Sequence, residues 1–298
     1  MRSCLICIVD FELLKSRAKL LNLKIQFVEI KSLKLAKKNK LGTVQFIQSA
    51  NCKDLSPGSL NPKNAKYVLD NLNFGIAECL KKQRVGLVTG PIQKSNIIDG
   101  GFKTFQGHTE WIQKRTKSKN VVMLLSAKNI KVALATTHIP LTEVAKNIRK
   151  AKLVETIQAL HSGLKTKFKI KHPSITVLGL NPHAGENGKI GTEEIKKINP
   201  AVKVCRDMGI NVSYAISADT AFTAKKLKQT DVYLAMYHDQ ALPVLKALSF
   251  GEAVNITLGT GIVRTSVDHG TALDIAGKMK PNLGSIKEAI KAAEVQLK

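Results

Sequence analysis

The sequence predicts an α/β protein. Short apolar runs alternate with segments whose apolar residues recur every three to four positions. No low-complexity linker or Gly/Ser hinge interrupts them, and 44% apolar with 23% charged residues over 298 positions is the composition of an ordinary folded chain. Strand–helix alternation of this kind implies a largely parallel sheet covered by helices.

The elements follow in order. Strands are expected at 5–9, 24–29, 85–89, 121–125, 131–136, 175–180 and 232–236, each a short run rich in Val, Ile and Leu. A helix is expected over 64–82, where Val68, Leu69, Leu72, Ile76 and Leu80 share one face. Val144, Ile148, Leu153, Ile157 and Leu160 predict another over 142–162. A third, over 192–208, has Thr192 as its expected cap and Glu193 and Glu194 in its first turn. The tail from 286 to 297 is amphipathic, and 49–64, with Pro57-Gly58 and Asn61-Pro62, reads as loop.

Lys and Arg number 47 against 22 Asp and Glu, a net charge of +25. Arg occurs only seven times and aromatics make up 5%, so the clustered Arg/aromatic signature of a nucleic-acid binder is missing. The expectation is a lysine-rich solvated surface whose potential draws anionic substrates, with no nucleic-acid partner. The five cysteines are odd in number and irregularly spaced, which gives no disulfide framework. Cys4 and Cys7 lie inside an apolar run that reads as a buried strand. That run is shorter than a signal sequence core, and Asp10 and Glu12 follow it; no run approaches a membrane span. The expected compartment is the cytoplasm, without membrane association.

Three histidines share one placement. His138 ends the run Val132-Ala-Leu-Ala-Thr-Thr-His138, His183 follows the strand at 175–180, and His238 ends Val232-Tyr-Leu-Ala-Met-Tyr-His238. Ligands of open α/β sheets bind outside the carboxyl ends of strands. Three imidazoles arriving there could hold one metal ion with an open position, or be three unrelated polar loop residues. Gly86-Leu-Val-Thr-Gly-Pro91 is either an anion-holding turn or an ordinary strand-to-helix turn. Thr109, in Gly107-His-Thr-Glu110, could cap a helix or bind a phosphate oxygen, with His108 donating to the same group. Gly259-x-Gly261-x-x-Arg264 nearly matches the dinucleotide fingerprint, but Arg264 stands in the third glycine's place.

Several longer motifs occur in one order: Thr89-Gly-Pro-Ile-Gln-Lys94, Gly107-His-Thr-Glu110, Ala135-Thr-Thr-His-Ile-Pro-Leu141, Gly179-Leu-Asn-Pro-His-Ala-Gly-Glu186, Ala235-Met-Tyr-His-Asp-Gln-Ala-Leu-Pro-Val-Leu-Lys246, Val254-Asn-Ile-Thr-Leu-Gly259 and Arg264-Thr-Ser-Val-Asp-His-Gly-Thr-Ala-Leu273. In these the chain resembles the 4-hydroxythreonine-4-phosphate dehydrogenases of vitamin B6 biosynthesis over nearly its whole length. The resemblance implies two α/β/α domains with an active-site cleft between them, as in isocitrate and isopropylmalate dehydrogenases. Residues 1–109 with 252–298 would form one domain and 110–251 the other. It implies a homodimer whose divalent-metal site, for Zn, Mg or Co, is shared between subunits and uses His138, His183 and His238. His108, Thr109, Lys246, Asn255 and Arg264 match its substrate contacts. His269, Gly270, Ala272 and Asp274 lie in a segment similar to the loop that cradles the adenosine half of NAD in the isopropylmalate relatives, so NAD or NADP is the implied acceptor.

The implied reaction is oxidation of 4-phosphooxy-L-threonine to 2-amino-3-oxo-4-phosphooxybutyrate, which loses CO₂ to give 3-amino-2-oxopropyl phosphate. A sister activity on 4-phosphorylated threonate or erythronate, and an inactive homologue, are the alternatives. Members of the family usually open with a strand and a Gly-rich segment upstream of the region matching residues 4–10, so the chain is expected to begin inside the second strand of the first domain and to expose a sheet edge. Gln93 stands where the family commonly has His or Asn.

Overall fold

Asp10 joins the first strand to the first helix. Its carboxylate accepts from the Glu12 and Leu13 N–H groups, capping α1 (Phe11–Leu20) directly after β1 (Ile6–Val9). The computed structural model describes residues 3–53, 56–82, 84–128, 130–249 and 252–298. The chain continues through β2 (Gln26–Glu29), β3 (Thr43–Gln48), α2 (Ala65–Lys81), β4 (Gly86–Thr89), α3 (Lys94–Asp99), α4 (His108–Thr116), β5 (Val122–Ala127) and β6 (Ile130–Leu134). Then come α5 (Leu141–Asn147), α6 (Lys150–Lys167), β7 (Ile175–Val177), α7 (Asn199–Asp207), α8 (Ala224–Gln229), β8 (Val232–Ala235), α9 (His238–Leu248), β9 (Val254–Leu258), β10 (Val263–Val267) and α10 (Gly284–Gln296). No helix among the described residues is long and apolar enough to cross a membrane.

The strands form two sheets, β1-β3-β2 and β4-β10-β9-β5-β6-β8-β7. The α/β class holds, but the larger sheet is mixed rather than largely parallel: β10–β9, β9–β5 and β5–β6 are antiparallel. The connections dictate two of these pairs, β5–β6 and β10–β9. A parallel crossover needs a dozen or more residues, and neither the link from Ala127 to Ile130 nor that from Leu258 to Val263 is long enough. Gly259 makes the second turn at φ +83°, where a Cβ would lie 1.9 Å from the Asn120 carbonyl oxygen. Gly259→Ala is therefore expected to destabilise the fold by about 3 kcal/mol, read as a lower urea unfolding midpoint.

Three strands, β3, β9 and β10, escaped the sequence reading. β10 explains why: all five positions are buried, yet three are Arg264, Thr265 and Ser266, so the strand carries no apolar signature. The helix expected over 142–162 is two, broken at Ile148 and Arg149, whose extended backbone drives Ile148 into the core. The helix expected from Thr192 opens instead as a π-turn over Glu194–Ile198, and Thr192 makes no side-chain cap. Pro200 lacks the N–H that the Lys196 carbonyl would accept, and the wider turn absorbs the mismatch. Cys4 and Cys7 are exposed, because β1 pairs with β3 alone and lies at a sheet edge. β1 and β4 both pack on α2, with Ile8 and Leu87 both reaching the place a Cβ on Gly75 would take.

One apolar cluster joins α6, α7 and α10 to one face of the large sheet; another joins α9 to the opposite face. A third sits under α2, α3 and α4, where Trp111 and Phe102 pack. The strands of the first expected unit, β4, β10 and β9, meet those of the second at the antiparallel β9–β5 pair.

Candidate active site

Arg264 is the centre of one half of the site. It lies on β10 beside Leu87 of β4 and Thr257 of β9, and is 2% exposed. Its Nη1 donates to Thr257 Oγ1 at 3.0 Å and its Nη2 to Thr89 Oγ1 at 2.8 Å, while Nε is buried without a partner. Ser266 Oγ donates to the Thr89 carbonyl, which locks the β4 end to β10. Burial pushes the Arg264 pKa down to about 10, against the opposing pull of Glu110. The same burial, followed by the Arg264 charge, pushes the His108 imidazole down to about 3. Asn255, opposite Ser266 on β9, has a buried Oδ1 without a partner. A buried cation with an unused donor, next to a neutral imidazole, suits an anionic substrate group such as phosphate or carboxylate.

His108 and Thr109 open α4, behind Gly107. Thr109 does not cap the helix: Gly107 takes that position, and no side chain bonds the free N–H groups there. Those N–H groups and the helix dipole add to the anion preference.

His108 also makes a pH prediction. It binds a proton near pH 6.5 when unfolded and near pH 3 when folded. Between those values the unfolded chain holds the extra proton, so stability falls as pH drops through that window. The slope is at most about 1.4 kcal/mol per pH unit. The urea midpoint should fall between about pH 7 and about pH 5, less steeply in His108→Gln.

The metal-candidate histidines form the other half. β6, β8 and β7 are parallel neighbours, so their carboxyl ends share one edge. His138 lies beyond the end of β6 and His238 opens α9 after β8; their ring centroids are 5.7 Å apart. His238 Nδ1 is 2.6 Å from Asp239 Oδ1, a carboxylate that can only accept, so Nδ1 carries the proton of the neutral ring and the Nε2 lone pair is left as an acceptor. His183 follows β7 in a left-handed turn: His183, Ala184, Gly185, Glu186 and Asn187 have φ of 51°, 52°, 82°, 45° and 54°. The non-glycine members each cost about 1–2 kcal/mol, so the surroundings must hold them. His183 Nδ1 stands 3.9 Å from Asp219 Oδ2. Among the described residues of one chain, no three His, Cys, Asp or Glu side chains close into a metal cluster. His138 and His238 are brought together; His183 is not joined to them within the chain.

Asp268 links the halves. Lys246 Nζ on α9 is 3.9 Å from its Oδ2, and the nearby Lys246, His238 and His269 each pull its pKa down, against a larger upward push from burial. The segment with His269, Gly270, Ala272 and Asp274 leaves β10 here. His269 Nδ1 is 2.8 Å from the Gly270 carbonyl, Ala272 takes φ 46°, and Thr271 Oγ1 donates to Gln93 Oε1 at 3.2 Å. Asp219, Asp239 and Asp268 were missed in the sequence. Asp239 and Asp268 each directly precede or follow a histidine, which was an available signal; Asp219 carried none. His161 has a buried Nδ1 without a partner and a pKa lowered by burial and Lys165.

Residues 1–293 match the family described as pyridoxal phosphate biosynthetic protein PdxA. A 4-hydroxythreonine-4-phosphate dehydrogenase of Enterobacter sp. (strain 638) is 45% identical over 289 residues, 97% of this chain and 88% of that one. The crystal structure of the 4-hydroxythreonine-4-phosphate dehydrogenase of Klebsiella pneumoniae superposes with a TM-score of 0.89 at 29% identity, covering 98% of this chain and 89% of that one. That of Burkholderia phymatum gives 0.84 at 32% identity, covering 99% and 88%. Fold, site and relatives together define an oxidoreductase of the α/β dehydrogenase class. Within that class, the chain belongs to the pyridoxal phosphate biosynthetic protein PdxA family.

Proposed function

We propose that the chain oxidises 4-phosphooxy-L-threonine at C3 with NAD(P)⁺, giving 2-amino-3-oxo-4-phosphooxybutyrate, which decarboxylates to 3-amino-2-oxopropyl phosphate. The observation that carries the reading is the buried Arg264, its Nε unused, beside the neutral His108. A doubly anionic phosphorylated amino acid matches that pocket, and the family supplies its identity.

In this reading Arg264, His108, Thr109, Asn255 and Lys246 bind the substrate's phosphate and carboxylate. Arg264 offers a directional fork already half satisfied by Thr89 and Thr257, so it is held in place before substrate arrives. Lys246 adds a point charge from α9, steered by Asp268. His138, His183 and His238 hold a divalent cation at a site shared by two subunits of a homodimer. His269, Gly270, Ala272 and Asp274 cradle the dinucleotide, with Gln93 bracing their loop through Thr271. When bound, the cation polarises the substrate hydroxyl as a Lewis acid and the nicotinamide accepts the hydride. Residues 1–109 with 252–298, and 110–251, are the two domains flanking the cleft, and the enzyme works in the cytoplasm.

The test is NAD(P)H formation by the purified protein on 4-phosphooxy-L-threonine, with divalent metal and then with chelator. The expected result is turnover that chelation removes and metal restores. Turnover on 4-phosphothreonate or 4-phosphoerythronate alone would move the assignment to the sister activity. No turnover on any of the three would overturn it.

A further inference from the structure

Glu194 is 2% exposed, and among the described residues its carboxylate forms no ion pair. A buried carboxylate held only by neutral donors is costly, and its bonds show what holds it there. Oε1 accepts from the Asn181 N–H at 2.8 Å and Oε2 from Asn181 Nδ2 at 2.9 Å. Asn181 Nδ2 also donates to Glu193 Oε2 at 2.8 Å, so both amide hydrogens of Asn181 are used.

The same carboxylate fills the space under the left-handed turn that carries His183. A Cβ on Gly185 would lie 2.7 Å from Glu194 Oε2, and one on Gly179 3.1 Å from Oε1. Glu194 opens the π-turn, a rare element frequent at functional sites, and that turn aims it at the 181–188 segment. The network continues to the second candidate ligand. Gln240, two residues after His238, donates to the Gly179 carbonyl and accepts from Met236 N at 2.7 Å. A chain of hydrogen bonds and close contacts thus runs from the His238 helix start through Gly179 to Glu194 and Asn181, two residues before His183.

We infer that Glu194 is a positioning residue of the metal site: it clamps the left-handed turn so that His183 is presented to the ion, without itself touching ion or substrate. The inference rests on the proposed role of His183 as a ligand. It explains why one run of strained residues persists at this strand end, since two carboxylate oxygens over-determine the turn's entry and its glycine.

The experiment uses the metal-free 298-residue chain, Co²⁺ as the probe, and calorimetry to read its affinity for wild type, Glu194→Ala, Glu194→Gln and His183→Ala. Circular dichroism checks folding, and trypsin cleavage after the exposed Lys189 reads the turn without metal. The expected result for Glu194→Ala is a loss of Co²⁺ affinity of about 10- to 100-fold with faster cleavage at Lys189. Glu194→Gln keeps one acceptor for the Asn181 N–H, and should recover part of that loss. Reduced affinity in His183→Ala with wild-type affinity in folded Glu194→Ala would overturn the inference alone. Wild-type affinity in His183→Ala would overturn the metal reading of His183, and the inference with it. Should Glu194→Ala fail to fold, wild-type affinity and cleavage in Glu194→Gln would overturn the inference.

Discussion

His238→Ala is expected to abolish metal-dependent NAD(P)H formation, lowering kcat/KM by about 10³-fold or more, on the order of 4 kcal/mol of transition-state stabilisation. The reason is geometric. His238 is the better held of the two converging imidazoles: it starts α9, Asp239 fixes its tautomer, and Gln240 ties the following turn to β8 and β7. Removing it leaves His138 without the neighbour 5.7 Å away. Stability should change little, because the ring is partly exposed. The check is a matched pair of measurements, bound metal per chain and initial rate. A variant that keeps both at wild-type level would remove His238 from the metal site.

Arg264→Met is expected to separate stability from activity. The folded pKa, about 10, lies below the ordinary 12.5, so the fold disfavours the cation. The sign follows: below about pH 10 the group is charged in both states and the full penalty is present; it is relieved only as pH rises past 10. The shift corresponds to roughly 3 kcal/mol, an upper bound for what replacing the charge can return. Met keeps the stem's packing and drops the charge, at the cost of the two bonds to Thr89 and Thr257. The unfolding midpoint should therefore stay level or rise, while kcat/KM falls by at least about 10²-fold for loss of the substrate's anion partner. Arg264→Lys should do worse in stability than Met, because an ammonium keeps the buried charge but cannot span both hydroxyls. A clear drop in midpoint for Met would show that the guanidinium is structural rather than held for substrate.

Both predictions turn on residues that the sequence exposed unequally. His138, His183 and His238 stood out as candidates because each ends or follows a Val- or Leu-rich run, and strand ends are where α/β sheets bind ligands. Arg264 was legible only through the family motif, since its polar strand neighbours hid β10 itself. Thr192 was read as a cap, but a different turn took that helix start; of the two readings of Thr109, cap or phosphate contact, the cap falls because Gly107 takes that position. Cys7 was read as buried because its neighbours in sequence are apolar, but burial depends on which strands flank β1.

By itself the sequence determined the α/β class, most of the strands and helices, and the family. These follow from local periodicity and from motifs of contiguous residues, which a linear reading can count. Only the tertiary structure decided that half the neighbouring pairs of the large sheet are antiparallel, that Arg264 lies buried between two threonines, and that Glu194 sits beneath the turn of His183. Each of these depends on residues far apart in the chain: Arg264 meets Thr89 across 175 positions. Contacts of that kind are fixed by packing, and no local pattern encodes which distant partner will fill a given space.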